Sequence, residues 1–421
     1  MGAKSGGDHT VRQTSAKASK RWKKLAVTDV EPKTISSATL KEVALLFLKL
    51  GTTAFGGPAA HIAMMEDEVV GRRGWIEREQ FLDLLGITNL IPGPNSTEMA
   101  IHIAYLQAGL VGLVVGGICF ILPAVIIVLV LAWVYVSFGQ LPLATGLLYG
   151  VKPVVIAVVL QALWRLARAA VKTPFLALSG LVAVGLSFLG VNVLIVLFGT
   201  GAIVGLKQYL VQQRPPGGTS HGLFIAPPML VAKVATTKAL TAPATVGLVP
   251  LFLIFLKVGA VLFGSGYVLL AFLHDDLVTH WHWLSDAQLL DAIAIGQVTP
   301  GPVFTTATFI GYVLAGFPGA IVATIAIFLP AFGFVALCRP VVPFLRRSPI
   351  AGAFLNGLNV ASLALMAVVT WQLGSSALVD LITLTLASVS AVMLIRFRLN
   401  SVWLILCGAI IGLVAFSLGK S

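Results

Sequence analysis

Two stretches of the sequence carry the same Pro-Gly-Pro triplet: residues 91–98 read IPGPNSTE, and residues 297–304 read QVTPGPVF. Outward from the triplets, residues 47–94 align with residues 255–302 without a gap and with 17 identities. Further along, the match resumes after a slip of a single residue. The chain therefore contains two copies of one unit, and such a duplication decides the architecture before any single motif does.

The composition is that of a membrane protein. Of the 421 residues, 58% are hydrophobic and 10% are charged, and the mean hydropathy is +0.97. A soluble domain carries about 25% charged residues. Residues 110–136 contain no Lys, Arg, Asp or Glu, and uncharged apolar runs longer than about 18 residues are typical of transmembrane helices. Several such runs exclude a soluble enzyme and predict contact with a lipid bilayer.

The net charge of +12 does not indicate a nucleic-acid partner. Residues 1–40 hold eight Lys or Arg against three acidic residues, and the remaining positive charge lies mainly in short loops, where it marks the cytoplasmic side. We expect residues 1–40 to form a polar, disordered tail. The three cysteines have no metal-binding spacing, and the sequence predicts neither a metal nor a cofactor.

The predicted fold class is an all-α polytopic membrane protein with two homologous repeats of inverted topology. Repeat 1 is expected at 41–209, a linker at 210–246 and repeat 2 at 247–418. Each repeat should have about five spans plus a re-entrant helical hairpin broken at Pro-Gly-Pro. The predicted first segments are 42–65 and 248–273, the hairpin pieces are 79–91, 95–108, 286–298 and 303–315, and the later spans of repeat 1 are 109–136, 142–165, 174–190 and 191–207.

The hairpin prediction follows from the length of these pieces. Each piece beside a triplet has about 13 residues and reaches about 20 Å, which is less than the ~30 Å thickness of the hydrocarbon core. Two short pieces that meet at a break are typical of a chain that enters and leaves on one side. Such irregular backbone is tolerated at membrane depth where it is buried in protein or lines a polar cavity.

The loop charges favour inverted topology. Repeat 1 has positive loops at Arg72, Arg73, Arg78, Arg165, Arg168 and Lys172, and repeat 2 has them at Arg339, Arg346, Arg347, Arg396 and Arg398. These loops do not correspond in the alignment, so the charge alternates in antiphase between the repeats. That is the pattern of opposite orientation, provided that neither Pro-Gly-Pro pair crosses the membrane. The positive charges of the loops place the N-terminus outside, whereas the basic tail favours the inside. The sequence therefore leaves open on which side of the membrane the N-terminus lies.

The breaks are candidate anion sites. A half-helix that begins after Pro-Gly-Pro points unpaired N–H groups and a positive dipole end at the break, and two such ends near the midplane suit an anionic substrate. The candidate substrate-binding residues are Gly93, Asn95, Ser96, Thr97, Gly301, Thr299, Thr305 and Thr306. In the alternative interpretation, Asn95 and Ser96 are helix caps and the threonines bond to their own backbone.

Lys49 and Lys257 occupy the same position of the two repeats, within apolar runs. An intramembrane lysine costs roughly 2.5–3.5 kcal/mol or more and marks function by default, so both are candidate anion ligands. The alternative is that each extends to the headgroup layer. Gly56 and Gly57, before Pro58, are expected to bend the first segment, with a substrate-facing cluster of backbone N–H groups as the second option.

Glu98 and His102 lie four residues apart on one helix face beside the first break, and a carboxylate near an imidazole is a candidate proton-coupling pair. The competing interpretation is a capping box, in which Glu98 bonds back to the Asn95 N–H group. Acidic clusters also end the first segments, at Glu66, Asp67 and Glu68 and at His274, Asp275 and Asp276. Solvation at the interface explains them, and a metal or proton role is the alternative.

Together the motifs resemble a known family. Phe-Gly-Gly-Pro at 55–58, IPGPNSTE at 91–98 and QVTPGP at 297–302 resemble the chromate ion transporter family, and the two fused halves resemble its long-chain bacterial form. The resemblance covers about 40–418. It implies a multi-pass inner-membrane transporter that exports chromate with energy from the proton motive force and confers chromate resistance.

Several functions remain open from the residues alone. Sulfate is a tetrahedral dianion like chromate, so a sulfate or other oxyanion transporter, including an uptake system, is the nearest alternative. An anion channel is another. An intramembrane enzyme for lipid phosphates would need Asp275 and Asp276 to hold a metal, and no second acidic set matches them, so we expect the protein not to be an enzyme. A homodimer is one of the assemblies left open.

Overall fold

The computed structural model describes residues 37–139, 141–213, 246–263, 266–397 and 399–418. Most of the predicted tail at 1–40 and of the linker at 210–246 lies outside the described residues. Within them, every regular element is helical. The helices of repeat 1 are α1 Ser37–Thr53, α2 Gly57–Glu66, α3 Arg78–Thr88, α4 Asn95–Phe138, α5 Pro142–Ala170, α6 Pro174–Phe188 and α7 Val193–Gln212.

Repeat 2 follows the same plan, except that a 3₁₀ turn opens the second part of its first segment. Its helices are α8 Leu248–Val261, α9 Leu269–Leu273, α10 Asp286–Val298, α11 Thr306–Arg347, α12 Pro349–Ala377, α13 Leu381–Arg396 and α14 Ser401–Ser417. The 3₁₀ turns Gly266–Val268 and Val303–Thr305 precede α9 and α11, and π-helical turns follow α2 at Asp67–Arg72 and α9 at His274–His280. The acidic clusters therefore lie at helical turns.

The first segment is bent where the glycines predict it. α1 ends at Thr53 and α2 begins at Gly57. Gly56 and Gly57 have φ values of 103° and 78°, which side chains with a Cβ atom rarely adopt. The predicted bend at these two glycines is confirmed.

α4 and α11 are each two helices joined at a sharp turn. Helical geometry is lost at Ala108–Gly109 in α4 and at Ala315–Gly316 in α11. A methyl group on Gly116 would overlap Ala104, although twelve residues of continuous helix span about 18 Å. The arm at 95–107 therefore folds back on the arm that starts at 110, which agrees with the boundary predicted between 95–108 and 109–136.

Five helices are long and apolar enough to cross a membrane, by length and composition, in the part of the chain that the structure describes. They are Asn95–Phe138, Pro142–Ala170, Val193–Gln212, Val303–Leu337 and Pro349–Ala377, and the shorter apolar helices are Pro174–Phe188, Leu248–Val261, Leu381–Arg396 and Ser401–Ser417. Large apolar side chains such as Leu110, Leu181 and Trp403 are exposed on these helices, as lipid contact requires. The protein is an all-helical, multi-pass membrane protein; five crossings per repeat stay a prediction.

The two repeats exchange helix contacts. α7 packs on α12, and α14 packs on α5. A methyl group on Gly357 of α12 would lie 2.8 Å from the Cα atom of Gly201 on α7, and one on Gly150 of α5 would overlap the carbonyl oxygen of Gly408 on α14. These glycines correspond in the alignment, and small residues let membrane helices approach closely. Such exchanged contacts are those of a two-fold relation between the repeats.

Candidate functional site

Each Pro-Gly-Pro triplet is hydrogen-bonded to the other repeat. The Gly93 N–H group donates to the Leu262 carbonyl oxygen at 2.8 Å, and the Gly301 N–H group donates to the Ala54 carbonyl oxygen at 3.0 Å. Ala54 and Leu262 correspond in the alignment and lie just after α1 and α8. The four interruptions of the helices therefore meet in one central region, which we call the break region: residues 54–57, 92–95, 262–263 and 300–302.

The central residue of each triplet has a backbone conformation and close neighbours that favour glycine over residues with a Cβ atom. Gly93 has a φ of 134° and Gly301 a φ of 90°. A Cβ atom on Gly301 would lie 2.9 Å from the Cβ atom of Ala124 and 3.2 Å from the Gly51 carbonyl oxygen. One on Gly93 would overlap the Glu98 carboxylate and lie 3.9 Å from Ala331. The backbone is thus packed closely from both sides at the break region.

Glu98 is buried beside Gly93 without a hydrogen bond. Its side chain is fully excluded from solvent, and among the described residues neither carboxylate oxygen has a hydrogen-bond partner. The capping box with Asn95 is therefore wrong; the Asn95 amide instead donates to the Asn89 side-chain oxygen at 2.7 Å. Burial without a partner is costly for a carboxylate. Glu98 is thus available for a proton or ligand, and buried His102 lies one turn further along α4.

His61, which the sequence did not single out, joins the break region to the first turn of α4. Its Nε2 atom lies 3.0 Å from the Ala54 carbonyl oxygen, and its Nδ1 atom lies 3.3 Å from the Ser96 hydroxyl. A neutral ring that donates from Nε2 accepts from Ser96 at Nδ1, a tautomer assigned from these contacts. The Ala54 carbonyl thereby accepts hydrogen bonds from both repeats, because Gly301 also donates to it.

The candidate hydroxyls differ in their bonding. The Thr299, Thr305 and Thr306 hydroxyls donate to the backbone carbonyls of Ile295, Pro302 and Val303 at 2.7–2.8 Å. Their protons are therefore committed to their own backbone in this conformation, as the alternative interpretation held. Thr97 is buried, and its hydroxyl has no hydrogen-bond partner among the described residues. It is the candidate hydroxyl whose donor is available, and a ligand role for all four stays a prediction.

Lys49 and Lys257 are both bonded to carboxylates. The Lys49 Nζ atom lies 2.6 Å from Glu68 Oε1, and Lys257 is paired with Asp276. Glu68 and Asp276 correspond in the alignment, so the pair is duplicated with the repeat. The hydrogen bond from Lys49 lowers the pKa of the Glu68 carboxyl. The side chains of Lys49 and Lys257 are 54% and 36% exposed, and their role as anion ligands stays a prediction.

Glu66 and His274, at corresponding positions of the two acidic clusters, also form ion pairs. Arg78 Nε lies 3.1 Å from Glu66 Oε1, and at the corresponding positions of repeat 2 His274 Nε2 lies 3.0 Å from Asp286 Oδ1. No group of three or more His, Cys, Asp or Glu side chains that could hold a metal occurs within the residues described. These clusters tie the end of each first segment to the start of the following helix.

A second polar site lies between the repeats, and the sequence did not predict it. Lys152 Nζ on α5 lies 3.3 Å from Asp291 Oδ1 on α10, and the Tyr135 hydroxyl on α4 donates to Asp291 Oδ2 at 2.9 Å. The Asp291 side chain is 4% exposed. An intramembrane charge is functional by default, and that argument, applied to Lys152, would have identified it.

Both repeats match one family model. The model described as "Chromate transporter" covers residues 41–206 and 249–413. The chain belongs to the chromate transporter family. The predicted resemblance is confirmed, and because this family consists of transporters, the alternative of an intramembrane lipid-phosphate enzyme has no support.

Curated relatives of this chromate transporter family member align over most of its length. It is 34% identical to the "Chromate transport protein" of Cupriavidus metallidurans over 392 residues, which cover 91% of this chain and 95% of that protein. It is 33% identical to the "Probable chromate transport protein" of Synechococcus elongatus over 343 residues, which cover 80% and 85% of the two chains. No solved structure matches this chain.

Proposed function

We propose that the protein is a secondary active transporter that exports chromate across the bacterial inner membrane, driven by the proton motive force, and so confers chromate resistance. The observation that carries the proposal is the match of both repeats to the chromate transporter family. The central break region, where the two repeats exchange backbone hydrogen bonds, supports it as the place of transport.

The break region has the chemistry of an oxyanion site. The first turn of α4 carries the positive dipole end of the helix, and of its N–H groups those of Thr97 and Glu98 donate to the Pro94 carbonyl oxygen. Beside them lies the buried Thr97 hydroxyl, which is without a partner among the described residues. The Glu98 carboxylate lies against Gly93, so a polar group already faces the backbone at this triplet. In our proposal chromate binds here, between half-helices from opposite repeats.

Glu98 is the proposed proton carrier. It lies against Gly93, is fully buried and has no hydrogen-bond partner among the described residues, so its charge depends on what else occupies the site. Proton-driven export requires exchange: Glu98 takes up a proton on the outside after chromate has left and releases it on the inside before the next chromate binds. Repeat 2 has Thr306 at this position, so a single carboxylate would couple both halves. His102 would relay the proton.

Inverted topology is the second part of the proposal. The exchanged contacts indicate a two-fold relation, and the antiphase of the loop charges favours an axis in the membrane plane. The two breaks then face opposite sides of the membrane. Alternating access would follow from rocking one repeat against the other about the break region.

The test is uptake of labelled chromate into inverted membrane vesicles, with sulfate as competitor and with an uncoupler. Export coupled to protons predicts accumulation that the uncoupler abolishes. Glu98→Gln should reduce proton-driven accumulation by tenfold or more, because a side chain that cannot ionise cannot carry the proton. Lys49→Ala and Lys257→Ala test whether these two lysines bind the anion. The matched control is Lys172→Ala, which replaces an exposed lysine in a loop.

Two outcomes would contradict the proposal. Chromate flux that is unaffected by the uncoupler and does not saturate would indicate a channel. Labelled sulfate flux that chromate does not inhibit would indicate a sulfate carrier. If both lysine variants transport at the wild-type rate, the lysines are not anion ligands.

A further inference from the structure

The site formed by Lys152, Asp291 and Tyr135 holds a largely buried charge pair away from the helix ends. Lys152 is ten residues into α5, about 15 Å along that helix. Asp291 lies seven residues, or two turns, before α10 ends at Val298. The Lys152 side chain is 21% exposed and that of Asp291 is 4% exposed. The pair therefore links repeat 1 to the helix that leads into the second Pro-Gly-Pro.

Stability alone does not account for such a pair. Removing two opposite charges from water costs several kcal/mol per ion, and a buried pair is often no better than apolar residues of the same volume. The corresponding position of Lys152 in repeat 2 is Asn359, although Asp291 has its counterpart in Asp83. The carboxylate is thus common to both repeats, whereas the lysine at this position is present in repeat 1 alone.

The geometry around Asp291 is that of an anion held by two donors. One carboxylate oxygen faces the Lys152 ammonium group at 3.3 Å, and the other accepts from the Tyr135 hydroxyl at 2.9 Å. A Lys ammonium group is a compact point charge with three donors. The same two donors could bind two oxygens of a tetrahedral oxyanion. Asp291 therefore occupies the place that such an anion would take.

We propose that Lys152, with the Tyr135 hydroxyl, is a further oxyanion-binding site and that Asp291 is the internal anion that competes for it. The inference rests on the proposed transport function and adds a second binding site for the same substrate. When chromate arrives, it replaces the Asp291 carboxylate on the two donors. The released carboxylate frees α10 from α5, which couples anion binding to movement between the repeats.

The test measures binding of chromate to purified protein in detergent by equilibrium dialysis. Lys152→Met should weaken binding about tenfold or more, since a charged hydrogen bond to the anion is lost. Asp291→Asn should tighten binding several-fold, because the competitor for Lys152 loses its charge. Lys152→Met/Asp291→Asn should bind as weakly as Lys152→Met, and the control Lys172→Met should bind like the wild type.

The two single variants should change chromate affinity in opposite directions, and this distinguishes a binding site from a structural ion pair. A purely structural pair predicts that both single variants bind more weakly and that the double variant recovers, and this result would overturn the inference. If Lys152→Met does not fold, the inference is tested by Asp291→Asn alone. Tighter chromate binding by this variant supports the site, and unchanged or weaker chromate binding refutes it. Tyr135→Phe, which removes one neutral donor, should weaken binding less than Lys152→Met.

Failure of this inference is distinguishable from failure of the proposed function. If the wild-type protein binds and transports chromate while all variants match it, Lys152 has no part in binding and only this inference fails. If the wild-type protein neither binds nor transports chromate, the proposed function fails and this inference with it.

Discussion

Replacing Gly301 with alanine tests the closest contact of the second Pro-Gly-Pro with repeat 1. Gly301 has a φ of 90°, and its N–H group bonds to Ala54. The added methyl group would lie 2.9 Å from Ala124 and 3.2 Å from the Gly51 carbonyl oxygen. Both neighbours belong to packed backbone and core, so neither can move aside as a flexible side chain would.

The expected cost has two parts. A residue with a Cβ atom loses roughly 1–2 kcal/mol in the left-handed region, and overpacking of a close contact costs typically 1–3 kcal/mol. We therefore expect Gly301→Ala to lower the free energy of unfolding by about 2–5 kcal/mol. Chromate flux should fall as well, because the contact lies within the break region.

The assay is unfolding in detergent, followed by circular dichroism, together with chromate flux in vesicles. The control is Gly333→Ala on α11, where a Cβ atom would meet no atom within 4 Å and alanine favours a helix. Gly333→Ala should unfold at or above the wild-type midpoint. Equal stability of Gly301→Ala and wild type would refute the close contact at the second triplet.

Three further predictions follow from the packing and the charges. Asp380→Ala removes the side chain that accepts the Thr383 N–H group at the start of α13 and should cost about 1 kcal/mol of unfolding free energy. Gly150→Val should prevent α14 from packing on α5 and abolish flux, whereas Gly185→Val on α6, where a Cβ atom meets open space, should keep it. The Lys49–Glu68 pair should stabilise by about 0.2–1 kcal/mol as a partly exposed pair. Because Lys49 holds the pKa of Glu68 below 4.5, this stabilisation is present above that pH and lost as the pH falls through the lowered value. The unfolding free energies of Lys49→Met and wild type should therefore differ at neutral pH and converge in strong acid.

Local breaks were predictable because they depend on local chemistry. Glycine supplies the left-handed backbone at Gly56 and Gly57, and Pro-Gly-Pro cannot continue a helix. The predicted end of the hairpin piece at 95–108 also agrees with the turn at Ala108–Gly109. The apolar run from 95 to 136 is too long for a single membrane-spanning helix, so the prediction divided it into two pieces. These positions can be read from a single repeat without knowing what packs on it.

Contacts between distant segments were not predictable in the same way. The carboxylate partners of Lys49 and Lys257 come from the turn after the next helix, and no local spacing rule places them. For Glu98 the local rule predicted a capping box, and burial beside Gly93 overrode it. Lys152 was not predicted, because duplication draws attention to residues that both repeats share, and repeat 2 has Asn359 in its place.

The exchanged helix contacts have a consequence for the order in which the chain can assemble. During synthesis the whole of repeat 1 is made before the segments of repeat 2 that contact it. The Gly93 N–H group can bond only after Leu262 has been made, and the glycine face of α5 can pack only after α14, the last helix described, has been made. Contacts between segments so far apart in sequence form late. Repeat 1 therefore lacks its contact with α14 until that helix has been inserted, and a truncation that removes α14 damages repeat 1 as well as repeat 2.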